Sequence, residues 1–303
     1  MTPSITPLLP FDFDAYCAMR RQTVDTALSA HLPPEDESPE ILHKAMRYSV
    51  LAGGKRLRPL LCLAACEACG APTNTALLPA LAVEILHTYT LIHDDLPCMD
   101  DDDLRRGRPT SHKVFGEANA LLAGDALLTL TFEWLARSQP QPPRTPADLV
   151  RTLAEAAGHR GVIAGQIEDL AAEGAAPSAA RVESIHRLKT AALLRASVLL
   201  GGLSAGADDD HLAALARYGE AAGLAFQIAD DLLNETSTPE KLGKATGSDR
   251  ERSKMTYVRV FGLEVAQRRA ETLTAEACSA LAAFPGPVEP LQAFARYAIA
   301  RKN

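Results

Sequence analysis

Carboxylates dominate the chemistry available to this chain. Asp94-Asp95-Leu96-Pro97-Cys98-Met99-Asp100 runs directly into Asp101, Asp102, Asp103, Leu104, Arg105 and Arg106. These acids end the strongly apolar stretch LAVEILHTYTLIH. Charges at the end of a buried helix need a cation, because an unpaired buried charge is costly. Hard oxygen ligands without a Cys or His triad suit Mg²⁺, with Mn²⁺ as a substitute; such an ion keeps some waters and takes phosphate oxygens for the rest. In a straight helix, positions six apart are rotated by roughly 240°, so Asp94 and Asp100 would face differently. Pro97 breaks the helical ladder, and the spacing predicts a bulge that brings both carboxylates to one ion. A second cluster, Gln227-Ile228-Ala229-Asp230-Asp231-Leu232-Leu233-Asn234, also ends an apolar run. Its Asp230, Asp231 and Asn234 stand at i, i+1 and i+4, close to one helical face. One acidic doublet would be read as solvated surface; two at the ends of apolar helices point to a shared divalent site. The run Asp208-Asp209-Asp210 is different: it opens a helix after Gly206, where capping and the helix dipole account for it.

Cations are placed to receive polyphosphate. Gly53-Gly54-Lys55-Arg56-Leu57-Arg58-Pro59 joins two helices, with Lys55 and Arg58 three apart so that both reach one diphosphate. Arg105-Arg106, directly after the Asp run, suits an anion–metal–anion sandwich. Lys189-Thr190, Lys244 in LGKATG and Lys254 in RSKMTY are further candidates. His87 lies seven residues before Asp94, two turns up the same helix face, where it can donate to a diphosphate. Taken singly, each lysine is as well explained as a surface cation, and His87 as a satisfied core histidine.

Helices must carry these groups. The 303 residues are 47% hydrophobic but only 5% aromatic, which favours helices packed through Ala, Leu, Val and Ile. Period-3.6 patterning predicts helices at 11–31, 38–52, 56–69, 75–96, 116–137, 146–158, 161–173, 178–202, 208–234, 250–260, 262–283 and 288–301. The Pro/Gln run between 137 and 147 has equally Ala/Leu-rich flanks, so 1–303 is read as a single all-α domain. Cys62, Cys66 and Cys69 have helical spacing and read as a buried face rather than a zinc site. A net charge of −7 argues against nucleic acid as partner. No basic start precedes an apolar run, and no uninterrupted apolar stretch reaches about 18 residues; a cytoplasmic protein without a membrane span is the expectation.

In order along the chain, GGKRLRP, LIHDDLPCMDDDDLRRGRPTSHKVFGEANALLAGDALL, GQIEDL, HRLKTAAL and FQIADDLLN resemble the short-chain trans-isoprenyl diphosphate synthases. The likeness runs from about residue 40 to 262; it is nearest to bacterial-type farnesyl diphosphate synthases and next to plant-type geranylgeranyl diphosphate synthases. It implies an isoprenoid-synthase helical bundle around a deep cavity, a homodimer, and isoprenoid diphosphates as substrates. The implied reaction is ionisation of an allylic diphosphate held by three Mg²⁺ ions, attack by isopentenyl diphosphate, and proton loss. Carried over by position, Asp94 and Asp100 ligate two ions and Asp230 the third, with Asp95 and Asp231 outer or shared. Lys55, Arg58, His87 and Arg106 hold isopentenyl diphosphate. Arg105, Lys189 and Lys244, with Lys254 as a further candidate, hold the allylic diphosphate. Thr190 and Gln227 point oxygens at the developing cation, and Gln166 and Asp169 support the allylic side. Asn234 departs from the Asp usual at the end of the second motif, which predicts weaker binding of the third ion. Tyr89, five residues before Asp94, is expected to floor the tunnel and stop growth at fifteen carbons. Geranyl or geranylgeranyl diphosphate as product is the alternative. A terpene cyclase would lack the second diphosphate site, and a non-catalytic partner subunit would have lost an Asp cluster or the arginine pair. A divalent-ion buffer would carry its acids in glycine-bearing loops.

Overall fold

The structure is a computed structural model and describes residues 11–236 and 254–300. It is an all-helical bundle. The elements are α1 (Phe13–His31), α2 (Glu40–Val50), α3 (Leu57–Ala68), a 3₁₀ turn (Thr73–Ala76), α4 (Leu77–Asp94), α5 (Ser111–Phe115), α6 (Glu117–Arg137), α7 (Pro146–Ala157), α8 (Val162–Ala172), α9 (Ala179–Ile185), a π-helical turn (His186–Ala191), α10 (Ala192–Ser204), α11 (Asp209–Thr236), α12 (Tyr257–Phe261), α13 (Leu263–Ser279) and α14 (Glu289–Ala300). Two two-residue strands, β1 (Leu104–Arg105) and β2 (Arg108–Pro109), pair antiparallel.

α4 is the central helix. It packs against α3, α6 and α10, and almost every residue from Pro79 to Leu86 is buried. The segment Thr73–Asp94 is long and apolar enough to cross a membrane, but it lies mostly inside the bundle, so its apolarity is that of a core. α10 is clasped between α3 and α11 through Ala196, Ser197, Gly201 and Gly202, small residues that let helix axes approach. Cys62 and Cys66 are buried on α3, as the helical spacing implied.

Two predicted helices differ from the expected ones. The single helix over 178–202 is three pieces, because the π-helical turn inserts an extra residue at His186–Ala191. The 250–260 helix begins only at Tyr257, with Thr256 as its cap; 250–253 lie outside the described residues. The acidic run at the start of α11 behaves as a cap: Asp208 Oδ1 accepts from His211 N at 2.9 Å.

Candidate active site

The first Asp motif leaves the helix as its proline demands. α4 ends at Asp94, and 95–100 form a tight turn in which Asp100 N donates to Asp94 O at 2.8 Å and Met99 N to Leu96 O at 2.8 Å. The turn folds Asp100 back over Asp94. Burial, and then the neighbouring Asp100 charge, push the Asp94 carboxyl up to about 6 against the pull of Lys189 and Arg105. Two carboxylates crowded this way favour a cation between them.

The second motif faces the same opening. Lys254 Nζ lies 3.6 Å from Asp100 and 3.9 Å from Asp169. Three residues later, Tyr257 N donates to Asp231 Oδ2 at 2.6 Å. A backbone of three residues spans at most about 11 Å, so one short segment ties the turn after α4 to the Asp231 stretch of α11. Lys189 completes the wall, with Nζ 2.6 Å from Asp169 Oδ2. The π-helical turn that carries it is gripped on both sides by glycines. A Cβ on Gly165 of α8 would collide with Lys189 backbone, and one on Gly223 of α11 would meet Ala191 Cα at 2.6 Å. Thr190 Oγ1 donates to Gln227 Oε1 at 2.7 Å, so the two oxygens expected to face a cation are joined, with lone pairs to spare. Gln166 is half-buried one turn before Asp169 on α8.

Asp95 and Asp231, expected to be outer or shared in the metal site, both take hydrogen bonds from the protein. Asp95 is buried and binds Arg105, whose Nε donates to its Oδ1 at 2.9 Å while Nη2 also reaches Asp102 at 3.1 Å. Asp231 is buried and takes hydrogen bonds from Tyr257 N and Gln227 Nε2, with His186 Nε2 at 3.2 Å. Their carboxylates are turned into the protein because adjacent residues on a helix face different ways, which a doublet in the sequence conceals. Lys244 lies outside the described residues. Among the described residues no three or more Asp, Glu, His or Cys form a ready-made cage. The oxygen-only pair Asp94 and Asp100 nevertheless suits Mg²⁺, which typically needs only one or two protein carboxylates and completes its shell with water and phosphate.

The β1–β2 hairpin separates the two arginines. Arg106 and Gly107, both at positive φ, make its two-residue turn, and the register pairs Arg105 with Arg108. Arg105 is thereby delivered to Asp95, and Arg106 to the carbonyl of Gly53, where its Nη2 lies 3.9 Å from Glu84. Arg106, Lys55, Arg58 and His87 line one pocket of about 250 Å³, together with the aromatic rings of Phe226, Phe294 and Tyr297. All four residues expected to hold the second diphosphate therefore converge. Arg58 Nε is buried with no hydrogen-bond partner, and burial beside Arg106 brings the guanidinium down to about 10. Asp230 opposes that shift, so the second Asp motif lies within electrostatic reach of Arg58. Burial, with Arg58 and Arg106 next in importance, holds His87 well below its ordinary value, so it stands ready as a neutral N–H donor.

Sequence reasoning passed over the pocket's floor. Arg56 is fully buried at positive φ and donates to Asp25 Oδ1, Glu84 Oε1 and Val50 O, each at 2.8 Å. Its charge is thus spent inside the protein. Glu84, also buried, is the counter-ion beneath the cation cluster. The signal was present: a lone carboxylate inside LAVEILHTYTLIH has to find a buried positive partner. A larger groove of about 990 Å³ between α11 and α13 contains none of the expected site residues. Two ion pairs line it, Arg187 with Glu220 at 3.3 Å and Arg269 with Glu276 at 3.6 Å.

The family model for polyprenyl synthetase matches residues 39–282, which spans both Asp motifs and Lys55, Arg58, His87 and Arg106 of the pocket. The chain belongs to the polyprenyl synthetase family. It is 47% identical over 299 residues to geranylgeranyl pyrophosphate synthase 12, chloroplastic, of Arabidopsis thaliana, covering 97% of this chain and 82% of that protein. Among solved structures, an FPP/GFPP synthase from Zymomonas mobilis superposes with a TM-score of 0.82 at 37% identity, covering 95% of this chain and 99% of that one. A geranyltransferase from Helicobacter pylori, solved with magnesium and isoprenyl diphosphate, gives 0.80 at 33% identity over 96% and 98% of the two chains. This polyprenyl synthetase is accordingly a prenyl transferase with the all-α isoprenoid synthase fold.

Proposed function

We propose that this polyprenyl synthetase adds isopentenyl diphosphate to allylic diphosphates and carries the product to geranylgeranyl diphosphate. What supports the two-substrate reading is the pairing of a carboxylate gap with a separate cation pocket along one helix, α4. Asp94, Asp100 and Asp230, with Lys189, Lys254 and the Asp95-braced Arg105, would receive the allylic diphosphate together with Mg²⁺. The metal, when bound there, would supply Lewis-acid help to the departing diphosphate. Lys55, Arg58, His87 and Arg106 would hold isopentenyl diphosphate with its alkene toward Phe226. The apolar walls keep water from the cation, and the remaining lone pairs of Thr190 and Gln227 stabilise it. The proton lost after bond formation would pass to the diphosphate released at the carboxylate gap.

The longer product is favoured by the chain's relatives, since further plant proteins 44–45% identical to it also bear geranylgeranyl pyrophosphate synthase names. Tyr89 favours a second reading, farnesyl diphosphate. Its ring is buried one turn below the first Asp motif and meets His93 edge-on at 5.3 Å. It lines none of the cavities described above, so its role as a tunnel floor rests on its position in α4 alone. Incubation with Mg²⁺, isopentenyl diphosphate and each of the five-, ten- and fifteen-carbon allylic primers, followed by chromatographic sizing, separates the readings. The twenty-carbon product from every primer is expected. Accumulation at fifteen carbons, with that primer refused, would establish the second reading, and Tyr89→Ala would then lengthen the product. A homodimer is part of the proposal: Leu121 and Leu122 of α6 and Ile163 and Ile167 of α8 are exposed apolar residues in need of cover.

A further inference from the structure

The pocket that holds Lys55, Arg58, His87 and Arg106 has one wall that none of the sequence motifs supplies. α1 contributes Asp14, Cys17 and Arg21 to it, residues at i, i+3 and i+7 on one helical face. The same stripe continues into Val24 and Leu28, which are buried, so Arg21 stands where the buried seam of α1 opens into the pocket. The two adjacent arginines of this helix have different fates. Arg20 is bound to Glu67 and lies over the Tyr16 ring at 5.4 Å, so it fastens α1 to α3. Arg21 is exposed at the pocket, and among the described residues it has neither an ion pair nor a hydrogen bond. Its natural helical partner is Asp25, four residues on, but Asp25 is taken by Arg56 Nε at 2.8 Å. Arg56 also lines the pocket, but its guanidinium nitrogens are engaged by Asp25, Glu84 and Val50. The result is an arginine held beside a diphosphate pocket with no ion pair among the described residues, although Asp14 lines the same pocket.

We propose that Arg21 is a further binding residue of the isopentenyl diphosphate site, reaching the diphosphate from α1. This rests on reading that pocket as the isopentenyl diphosphate site. It makes α1, which carries no recognisable motif, part of the substrate-binding machinery, and it explains why Asp25 is drawn away from Arg21 toward Arg56. A multiply charged anion among Lys55, Arg58 and Arg106 gains one more charge-assisted hydrogen bond from Arg21, weakened by its exposure to water.

Steady-state kinetics on Arg21→Gln, Arg21→Lys and Lys55→Gln test this. Arg21→Gln is expected to raise the KM for isopentenyl diphosphate about tenfold, the effect of one such bond at a partly hydrated site. The KM for the allylic primer and the thermal midpoint should stay near those of the parent, and Arg21→Lys should recover part of the loss. A fall in kcat, or an equal rise in both KM values, would mean that Arg21 only supports the fold, and would overturn the proposal. If Lys55→Gln raises the isopentenyl diphosphate KM while Arg21→Gln leaves it unchanged, the role of Arg21 is overturned and the pocket's assignment stands. If neither variant moves it, the assignment of the pocket itself has failed.

Discussion

Glu84 shows how far a single residue can organise the site. It is nearly inaccessible, accepts from Arg56 at 2.8 Å and lies 3.9 Å from Arg106. Replacing it with Gln leaves Arg56 and Arg106 with one fewer counter-charge in a region that water scarcely reaches. Removing one partner of a buried pair costs about 3 kcal/mol or more, so Glu84→Gln should lower the urea midpoint markedly. The exposed pair of Arg137 with Glu133 is the control, and its loss should leave the midpoint unmoved. The residues proposed to bind metal and diphosphate stand out in the sequence, because acids, lysines and arginines at motif spacing announce themselves. The residues that hold them do not. Asp95 and Asp231 look identical in type to their neighbours Asp94 and Asp230, and only the helix direction shows that they point into the protein. Arg56 sits between Lys55 and Arg58 in the sequence, yet its left-handed backbone turns it inward.

At the level of elements, the π-helical turn at His186–Ala191 is the part most dependent on close packing. Gly165 and Gly223 let α8 and α11 press on it from two sides, and this pressure sets Lys189 against Asp169. Gly165→Ala would drive a methyl group into the Lys189 backbone, an overpacking that costs about 1–3 kcal/mol. The expected outcome is a lower thermal midpoint together with a higher KM for the allylic primer, while the KM for isopentenyl diphosphate changes little. An unchanged allylic KM would separate the turn from the site. The periodicity of residues 178–202 gave the right helical class but hid this turn, since one inserted residue barely disturbs a 3.6-residue pattern. The β1–β2 hairpin also escaped notice. Its strands are two residues each, too short for alternation to register, and its turn uses Arg106-Gly107 where Asn-Gly would have been the usual signal. The long helices α4, α6 and α11 were read within a few residues because their apolar faces repeat over many turns.

For the whole molecule, the expected test is of assembly. Charges placed on the exposed apolar faces of α6 and α8, as in Leu122→Arg with Ile167→Arg, should convert a dimer to a monomer in sedimentation velocity. Retention of the parent's sedimentation coefficient would show that these faces do not meet a second copy. Within one chain, His87 and Asp94 stand two helical turns apart on α4, the first among permanently charged guanidinium and ammonium groups, the second among acids. On the proposed reading, the seat for isopentenyl diphosphate is primed by the protein alone, whereas the seat for the allylic diphosphate would need an imported ion. When a chelator strips that ion away, bond breaking should stop while the five-carbon nucleophile stays docked, a stalled complex awaiting nothing but metal.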